Sequence, residues 1–266
     1  MGRDAEIALV EQFLDDLPNG PAAIVLEGQP GIGKTALWRR SIQSASARAY
    51  RVLAAQPAHT EAKLSFGGID DMLDSVLDDV LPTLAPPKRR ALEVALLRSD
   101  PEGPAPDRRT VYRAVLDVIR ELAAEGPLVL AADDIQWLDV PSAGVLKYVS
   151  RRLQDDPVGI ILTRRVDDPP VSAPLALDEM LSEGRLRRLK LPPLDFSDVH
   201  ALLETRLNAQ FPRHVLVRLY ERSEGNPFLA LEMGRFLLDQ PSMQGQRSPR
   251  RARLMLCSVP PEAGSC

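Results

Sequence analysis

A short glycine-rich stretch has the residue types and spacing of a phosphate-binding loop. Residues 28–35 read GQPGIGKT, in which glycine is followed by four residues and then by glycine, lysine and threonine. The glycines allow turns that point successive backbone N–H groups at one phosphate group. Lys34 can then reach the β- and γ-phosphates of a nucleotide, and the Thr35 hydroxyl can bind Mg²⁺. The helix that opens here adds the positive end of its dipole. The predicted nucleotide-binding residues of this stretch are Gly28, Pro30, Gly31, Ile32, Gly33, Lys34, Thr35 and Ala36.

A second group of side chains suited to chemistry follows an apolar stretch, residues 128–132, which ends in two acids. Asp133, at the carboxyl end of this predicted strand, is the expected carboxylate on the metal side, where it shares Mg²⁺ with Thr35. Asp134 is predicted to be catalytic, because a carboxylate there can orient or deprotonate the attacking water. Lys34 is also predicted to act in catalysis by neutralising phosphate charge. Open α/β sheets bind ligands at the carboxyl ends of their strands, so both groups belong at one edge.

The elements that must position these residues alternate between short apolar runs and amphipathic stretches, which is typical of α/β proteins. Apolar spacing predicts helices over 3–17, 34–47, 69–80 and 141–154, and another between Asp107 and Gly126. The expected fold is a P-loop NTPase core with a five-stranded, mostly parallel sheet sandwiched by helices. The predicted strands are residues 22–26, 50–55, 128–132, 158–163 and 185–191.

The pattern changes after two prolines at 192–193, and only helical signals follow as far as residue 240. Asp195 and Asn226 are the expected helix caps in this stretch. We therefore predict three parts: a core over 1–192, a small all-helical lid over 193–240, and a tail over 241–266. The tail is rich in Ser, Pro and Arg and lacks a sustained period, so we expect it to be disordered or truncated.

Composition excludes several classes of protein. The formal net charge of -4 argues against a nucleic-acid footprint over the whole molecule. No apolar run approaches the roughly 20 residues that span a bilayer, and no secretory signal opens the chain. Cys257 and Cys266 are the only cysteines, so neither a disulfide framework nor a C-x-x-C metal pair is expected. A cytoplasmic protein without membrane contact is the prediction.

Four stretches of the sequence carry a resemblance to a known family. They are residues 2–4 (GRD), the phosphate-binding loop, residues 133–139 (DDIQWLD) and residues 225–228 (GNPF). Together they resemble the ATPase module of the signal-transduction ATPases with numerous domains, an Orc1-like branch of the AAA+ superfamily. The sequence is similar in particular to the N-terminal part of large ATP-binding LuxR-type transcriptional regulators.

This resemblance implies roles that spacing alone does not assign. It implies that Arg3 lies against the bound nucleotide, that Pro227 packs on the adenine, and that ATP or ADP binds with Mg²⁺. It also implies that an arginine after the fourth strand senses the γ-phosphate, with Arg165 preferred over the adjacent Arg164. From the residues alone, Arg3 could be a surface side chain and residues 225–227 a helix stop and restart. Trp137 is expected to pack beside the site.

The predicted function is an ATP-binding, slowly ATP-hydrolysing switch module of a signalling or transcription-regulator ATPase. Many AAA+ proteins carry glutamate where this sequence has Asp134, and the shorter side chain reaches less far toward the water. The alternative is a non-hydrolysing, nucleotide-binding interaction module. Expected partners are an adenine nucleotide and other proteins or copies of the chain. DNA binding is not supported, because no helix-turn-helix is present.

Overall fold

The computed structural model describes residues 2–60, 62, 64–100, 105–166 and 184–239. The predicted tail, 241–266, lies outside the described residues. The chain divides into two compact units. One unit is Arg3–Pro192, and the other combines Gly2 with residues 193–239.

The larger unit is built on a five-stranded sheet in the order β2-β3-β4-β1-β5. All four strand pairings are parallel. The predicted five-stranded parallel sheet flanked by helices is therefore confirmed. The strands are β1 (Ala22–Gly28), β2 (Arg51–Ala55), β3 (Leu128–Ala132), β4 (Val158–Arg165) and β5 (Leu186–Lys190).

Helices cover both faces of the sheet, which explains why its central strands are apolar at almost every position. Along β1, Ala23 and Val25 pack with the helices of one face, and Ile24 and Leu26 with those of the other. Most of the helices pack on the first face, and α1 and α2 cover the second. The helices are α1 (Asp4–Asp16), α2 (Lys34–Ala47), α3 (Gly67–Leu73), α4 (Leu77–Val80), α5 (Pro86–Ala95), α6 (Arg108–Ala124) and α7 (Val140–Ser150).

Two features of the helical layer differ from the sequence prediction. The single helix predicted over 69–80 is wrong, since the chain turns between α3 and α4. Apolar spacing does not reveal this break because both helices bury their apolar residues in the same core cluster. Helix α5 was not predicted. It begins with Pro86 in its first turn, where a missing N–H costs nothing, and buries Leu92 completely.

The smaller unit contains α8 (Phe196–Leu207), α9 (Arg213–Ser223) and α10 (Pro227–Asp239) around a core of its own. The Asp195 side chain caps α8 by accepting from the Asp198 N–H at 2.8 Å. Gly225 has φ +74°, and a Cβ there would lie 2.3 Å from the Leu194 carbonyl oxygen. Only glycine fits this turn, which sets the direction of the following helix.

No helix in the described part of the chain has both the length and the apolar character needed to cross a membrane.

Candidate nucleotide-binding site

The phosphate-binding loop joins the end of β1 to the start of α2, the context that its sequence requires. Gly31 and Gly33 have φ of +78° and +105°, in the left-handed region where a side chain is strained. A Cβ on Gly28 would lie 2.8 Å from the Ile32 Cγ2 atom. Ile32 is itself buried and anchors the loop in the core. Glycine is therefore required at these three positions for steric reasons.

Lys34 is buried inside this loop, with only 5% of its surface exposed. Its Nζ atom donates to the carbonyl oxygens of Gly28 and Gln29, each at 2.9 Å. A buried ammonium group needs such partners, because desolvation without them is costly. The two carbonyl groups hold the positive charge at the place where the loop presents its backbone to a ligand.

Arg3 reaches the same loop from the start of α1. Its guanidinium group donates to the Ile32 carbonyl oxygen at 3.0 Å and forms an ion pair with Glu6 at 3.0 Å. The side chains of Arg3 and Glu6 are 12% and 11% exposed. Arg3 is thus a fixed part of the loop's surroundings, while its predicted contact with a nucleotide stays a prediction.

The remaining predicted loop residues differ in exposure. Pro30, Gly31 and Ala36 are exposed, and Thr35 is half-buried in the first turn of α2. This side of the loop is therefore accessible from solvent.

Asp133 directly follows β3 and is 5% exposed. Its Oδ1 atom accepts from the Thr163 hydroxyl at 2.6 Å and from the Asp134 N–H at 3.2 Å. Its Oδ2 atom accepts from Gln56 Nε2 at a longer 3.4 Å. Gln56 follows β2 and Thr163 lies in β4, so three neighbouring strand ends converge on this carboxylate.

Asp134 adopts φ +45°, a conformation that non-glycine residues rarely take. Its N–H donates to the Thr163 hydroxyl at 2.7 Å. Its Oδ2 atom accepts from Arg165 at 3.3 Å, within an ion pair whose side chains are 26% and 30% exposed. Strained backbone of this kind also occurs at functional sites, where the surrounding structure maintains the strain.

The two arginines at the end of β4 have different surroundings. Arg165 pairs in register with Gly28 and contacts Asp134. The Arg164 side chain instead forms an ion pair with Glu27 at 2.7 Å. Glu27 also accepts from Arg188 at 2.9 Å. Successive strand residues face opposite sides of a sheet. The structure therefore brings Arg165, and not Arg164, to the acidic residues.

Three other residues of the 133–139 stretch contact neighbouring segments. Gln136 accepts from the Arg165 N–H at 3.4 Å, and its buried Nε2 has no partner among the described residues. Trp137 packs edge-on against His59, with ring centroids 4.5 Å apart. Asp139 caps α7 and also accepts from the N–H groups of Phe66 and Gly68.

Gln56 and Thr163, the two side chains that donate hydrogen bonds to Asp133, were not predicted from the sequence. Both could have been recognised as polar residues near the carboxyl ends of the strands next to β3. This requires the strand order, which the sequence does not contain.

Pro227 begins α10 in the smaller unit. The Asn226 side-chain oxygen caps this helix by accepting from the Phe228 and Leu229 N–H groups. The predicted contact of Pro227 with adenine stays a prediction.

The loop after β1 and the acids after β3 lie at the same edge of the sheet, because β4 pairs with both strands. One edge therefore combines a glycine loop, a buried ammonium group, two carboxylates and an arginine. Groups of these types recur at the phosphate-binding sites of P-loop proteins.

Comparison with known proteins agrees with this geometry. The model of the AAA ATPase domain family matches residues 1–162. The chain belongs to this family. As an AAA ATPase domain, it is a P-loop nucleotide-binding module.

This AAA ATPase domain is 26% identical, over 245 aligned positions, to an uncharacterized protein of Rhizobium meliloti (strain 1021). The match covers 82% of the chain and 22% of that relative, so the chain spans about a fifth of the relative's length.

Two solved structures show the same fold. AMPPCP-bound DnaA from Aquifex aeolicus matches with a TM-score of 0.52 and 17% identity, covering 92% of this chain and 64% of DnaA. The Aeropyrum pernix Orc1 protein in complex with DNA matches with a TM-score of 0.50 and 18% identity, covering 88% of this chain and 59% of Orc1.

Proposed function

We propose that this AAA ATPase domain binds Mg·ATP and hydrolyses it slowly, as a nucleotide-dependent switch. The observation that carries the proposal is the arrangement at one sheet edge. There Lys34 is held inside the glycine loop, and Thr163 links Asp133 to Asp134 beside Arg165.

Binding would depend on the loop backbone, the Lys34 ammonium group and the N-terminus of α2. Each presents positive charge or N–H donors to the phosphates, and charge-assisted hydrogen bonds of this kind are the strong ones. Adenine as the base is supported by the family's ATPase description and by the AMPPCP bound to the DnaA neighbour.

Magnesium fits the oxygen donors available here. Asp133 offers a buried carboxylate whose Oδ2 atom has only one long hydrogen bond, and Thr35 offers a half-buried hydroxyl. In the part of the chain that the structure describes, no cluster of three or more metal-ligating side chains exists. This suits Mg²⁺, which is usually bound by one or two protein oxygens together with substrate phosphates and water. When bound, Mg²⁺ neutralises charge on the β- and γ-phosphates.

Hydrolysis would use Asp134 to orient the attacking water and accept its proton. In this structure the Asp134 carboxylate is engaged by Arg165 at 3.3 Å. That contact directs Oδ2 toward Arg165 rather than toward a water, and a γ-phosphate beside Arg165 would compete for the guanidinium group. The ion pair and the short aspartate side chain both support slow turnover.

The alternative function, a nucleotide-binding module that does not hydrolyse, is favoured by the same ion pair. If Arg165 stays on Asp134 when ATP binds, Oδ2 stays directed at the guanidinium group and not at an attacking water. The domain would then respond to ATP or ADP binding alone.

Single-turnover phosphate release with excess enzyme over ATP separates the two functions. We expect slow release by the wild type, and none above the buffer blank by Asp134→Asn, which should still bind Mg·ATP in calorimetry. Lys34→Ala should lose about a hundredfold or more in affinity, because it removes a charge-assisted contact worth about 3 kcal/mol.

Matched controls are Asp155→Asn and Lys88→Ala, which make the same chemical changes at residues outside the site. Absence of Mg·ATP binding by the folded wild type would overturn the proposed function. Wild-type binding without phosphate release would favour the non-hydrolysing alternative.

We further propose that the domain serves a signalling or transcription-regulator protein and contacts other proteins or copies of itself. The motifs at 2–4 and 225–228 support this context. The role requires that ADP- and ATP-bound forms differ in partner binding or self-association.

A further inference from the structure

Outside the nucleotide site, three arginines from two helices gather around one tyrosine. The Arg152 guanidinium carbon lies 3.5 Å from the centroid of the Tyr148 ring. Arg109 and Arg113 lie one helical turn apart on α6 and are both exposed, and the Tyr112 ring of the same helix lies 5.7 Å from the Tyr148 ring. We call these four residues, Arg109, Arg113, Tyr148 and Arg152, the basic patch.

The patch exists because α6 and α7 pack side by side in the same direction. The rings of Tyr112 and Tyr148 lie 5.7 Å apart between the helices. A Cβ on Gly144 would meet the Tyr112 hydroxyl at 2.3 Å, so glycine allows the close approach. About two turns beyond Tyr112 and Gly144, Arg120 donates to the Arg152 carbonyl oxygen at 2.7 Å. The aromatic rings thus form a packed base beneath exposed guanidinium groups.

Among the residues that the structure describes, the positive charges of the patch have no carboxylate partner. No described acid forms an ion pair with Arg109, Arg113 or Arg152. Helix α7 contains no acidic residue. Of the acids on α6, Asp117 pairs with Lys88 and Glu121 accepts from Thr83. Exposed Arg108 and Arg151, which precede two patch residues in the chain, add to the positive charge.

The pKa of the Tyr148 hydroxyl reflects this positive charge. Its burial raises the pKa, whereas the hydrogen bond from Arg113 and the charges of Arg152, Arg113 and Arg109 lower it, and the net direction is downward. A surface that stabilises a phenolate also stabilises a phosphate anion. The patch is local, because the chain as a whole has a net charge of -4.

We propose that the basic patch binds the phosphate backbone of nucleic acid without reading its sequence. Guanidinium groups match phosphate oxygens with paired hydrogen bonds, and tyrosine hydroxyls donate to phosphates as well. An acidic protein is less well matched, because stable protein interfaces need an apolar centre. In this patch Arg152 covers one ring, and the rings of Tyr112 and Tyr148 pack against each other. The proposal does not depend on ATP binding.

The test measures binding of the full chain to a short, labelled DNA duplex of mixed sequence, by fluorescence anisotropy over a series of salt concentrations. The patch variant is Arg109→Gln, Arg113→Gln, Arg152→Gln. Each phosphate contact contributes about 0.9 to the slope of log K against log salt. We therefore expect the slope to fall by about three and the affinity at low salt to drop at least tenfold.

The control variant is Arg206→Gln, Arg213→Gln, Arg218→Gln, which removes the same charge from exposed positions in α8 and α9. It should keep the wild-type slope, and circular dichroism should show both variants folded. Equal binding by the patch variant and the wild type would assign DNA contact elsewhere, such as the arginine-rich tail, and overturn the proposal. So would the absence of wild-type binding at low salt, or displacement of DNA by polyglutamate as effectively as by unlabelled duplex.

Discussion

At the level of single residues, the Thr163 hydroxyl organises the acidic side of the nucleotide site. It donates to Asp133 Oδ1 at 2.6 Å and accepts from the Asp134 N–H at 2.7 Å. Thr163 is completely buried, so water cannot replace these contacts. One side chain therefore fixes the direction of the metal-side carboxylate and the backbone of the candidate base.

Thr163→Val should separate binding from hydrolysis. Valine nearly preserves the shape but leaves Asp133 Oδ1 with one donor fewer and the Asp134 N–H with only its longer contact to Asp133. We expect phosphate release to slow at least tenfold, and the free energy of unfolding to fall by about 1–3 kcal/mol. Single-turnover kinetics and urea unfolding measure the two effects.

Thr163→Ser, which keeps the hydroxyl, is the control and should restore most of the rate. A Thr163→Val protein that releases phosphate at the wild-type rate would show that Asp134 needs no such support.

At the level of elements, Asp139 ties together segments that are distant in sequence. Its side chain accepts from Ser142 N–H at the start of α7 and from Phe66 and Gly68 N–H at the start of α3. The Ser142 hydroxyl also accepts from the Ile69 N–H at 3.1 Å. The residues after the candidate catalytic acid therefore hold the N-terminus of a second helix.

Asp139→Ala should destabilise the domain more than loss of an ordinary helix cap. It removes one cap and leaves two buried N–H groups unpaired, which together cost about 2–4 kcal/mol. Chemical denaturation gives the change in free energy of unfolding.

Asp195→Ala is the matched comparison, because Asp195 caps only its own helix and is exposed. Its effect should be much smaller. Equal losses in the two variants would mean that the contacts of Asp139 to α3 contribute little.

At the level of the whole molecule, the candidate ligand groups come from parts of the larger unit that are far apart in sequence. The loop follows β1, Asp133 follows β3, and Arg165 ends β4. The unfolded chain has no assembled site, so a ligand that binds here must stabilise the folded state.

Mg·ATP should therefore raise the free energy of unfolding of the wild type, by about 2.7 kcal/mol at a hundred times its Kd. Thermal unfolding followed by circular dichroism measures the shift. Lys34→Ala, which should bind about a hundredfold more weakly, should gain no more than about 0.4 kcal/mol at the same concentration, and Lys88→Ala should respond like the wild type. An unchanged melting temperature for the wild type at saturating Mg·ATP would contradict the assigned site.

Motifs whose function depends on local backbone could be predicted from sequence. The glycine loop between an apolar strand and a helix was found because its residues are consecutive and its context is local. The three central strands β1, β3 and β4 were found for the same reason, since burial on both faces leaves continuous apolar runs. The break between α3 and α4 was missed because periodicity reports only which face is buried.

Contacts between distant segments could not be predicted in this way. Asp133 and Asp134 were recognised as a pair, but their partners Thr163 and Gln56 depend on strand order. The choice between Arg164 and Arg165 likewise depends on which side of β4 faces the acids. Each of these is a property of the assembled sheet.

The sequence by itself determined the phosphate-binding loop, the acidic strand end and the α/β fold, because each rests on neighbouring residues and on burial. Only the tertiary structure decided which polar side chains hold the acids and where the arginines gather. The basic patch joins Arg109 and Arg113 of α6 to Arg152 at the end of α7. Electrostatic interactions depend on distance in space, and distances between remote segments are set only when the helices pack.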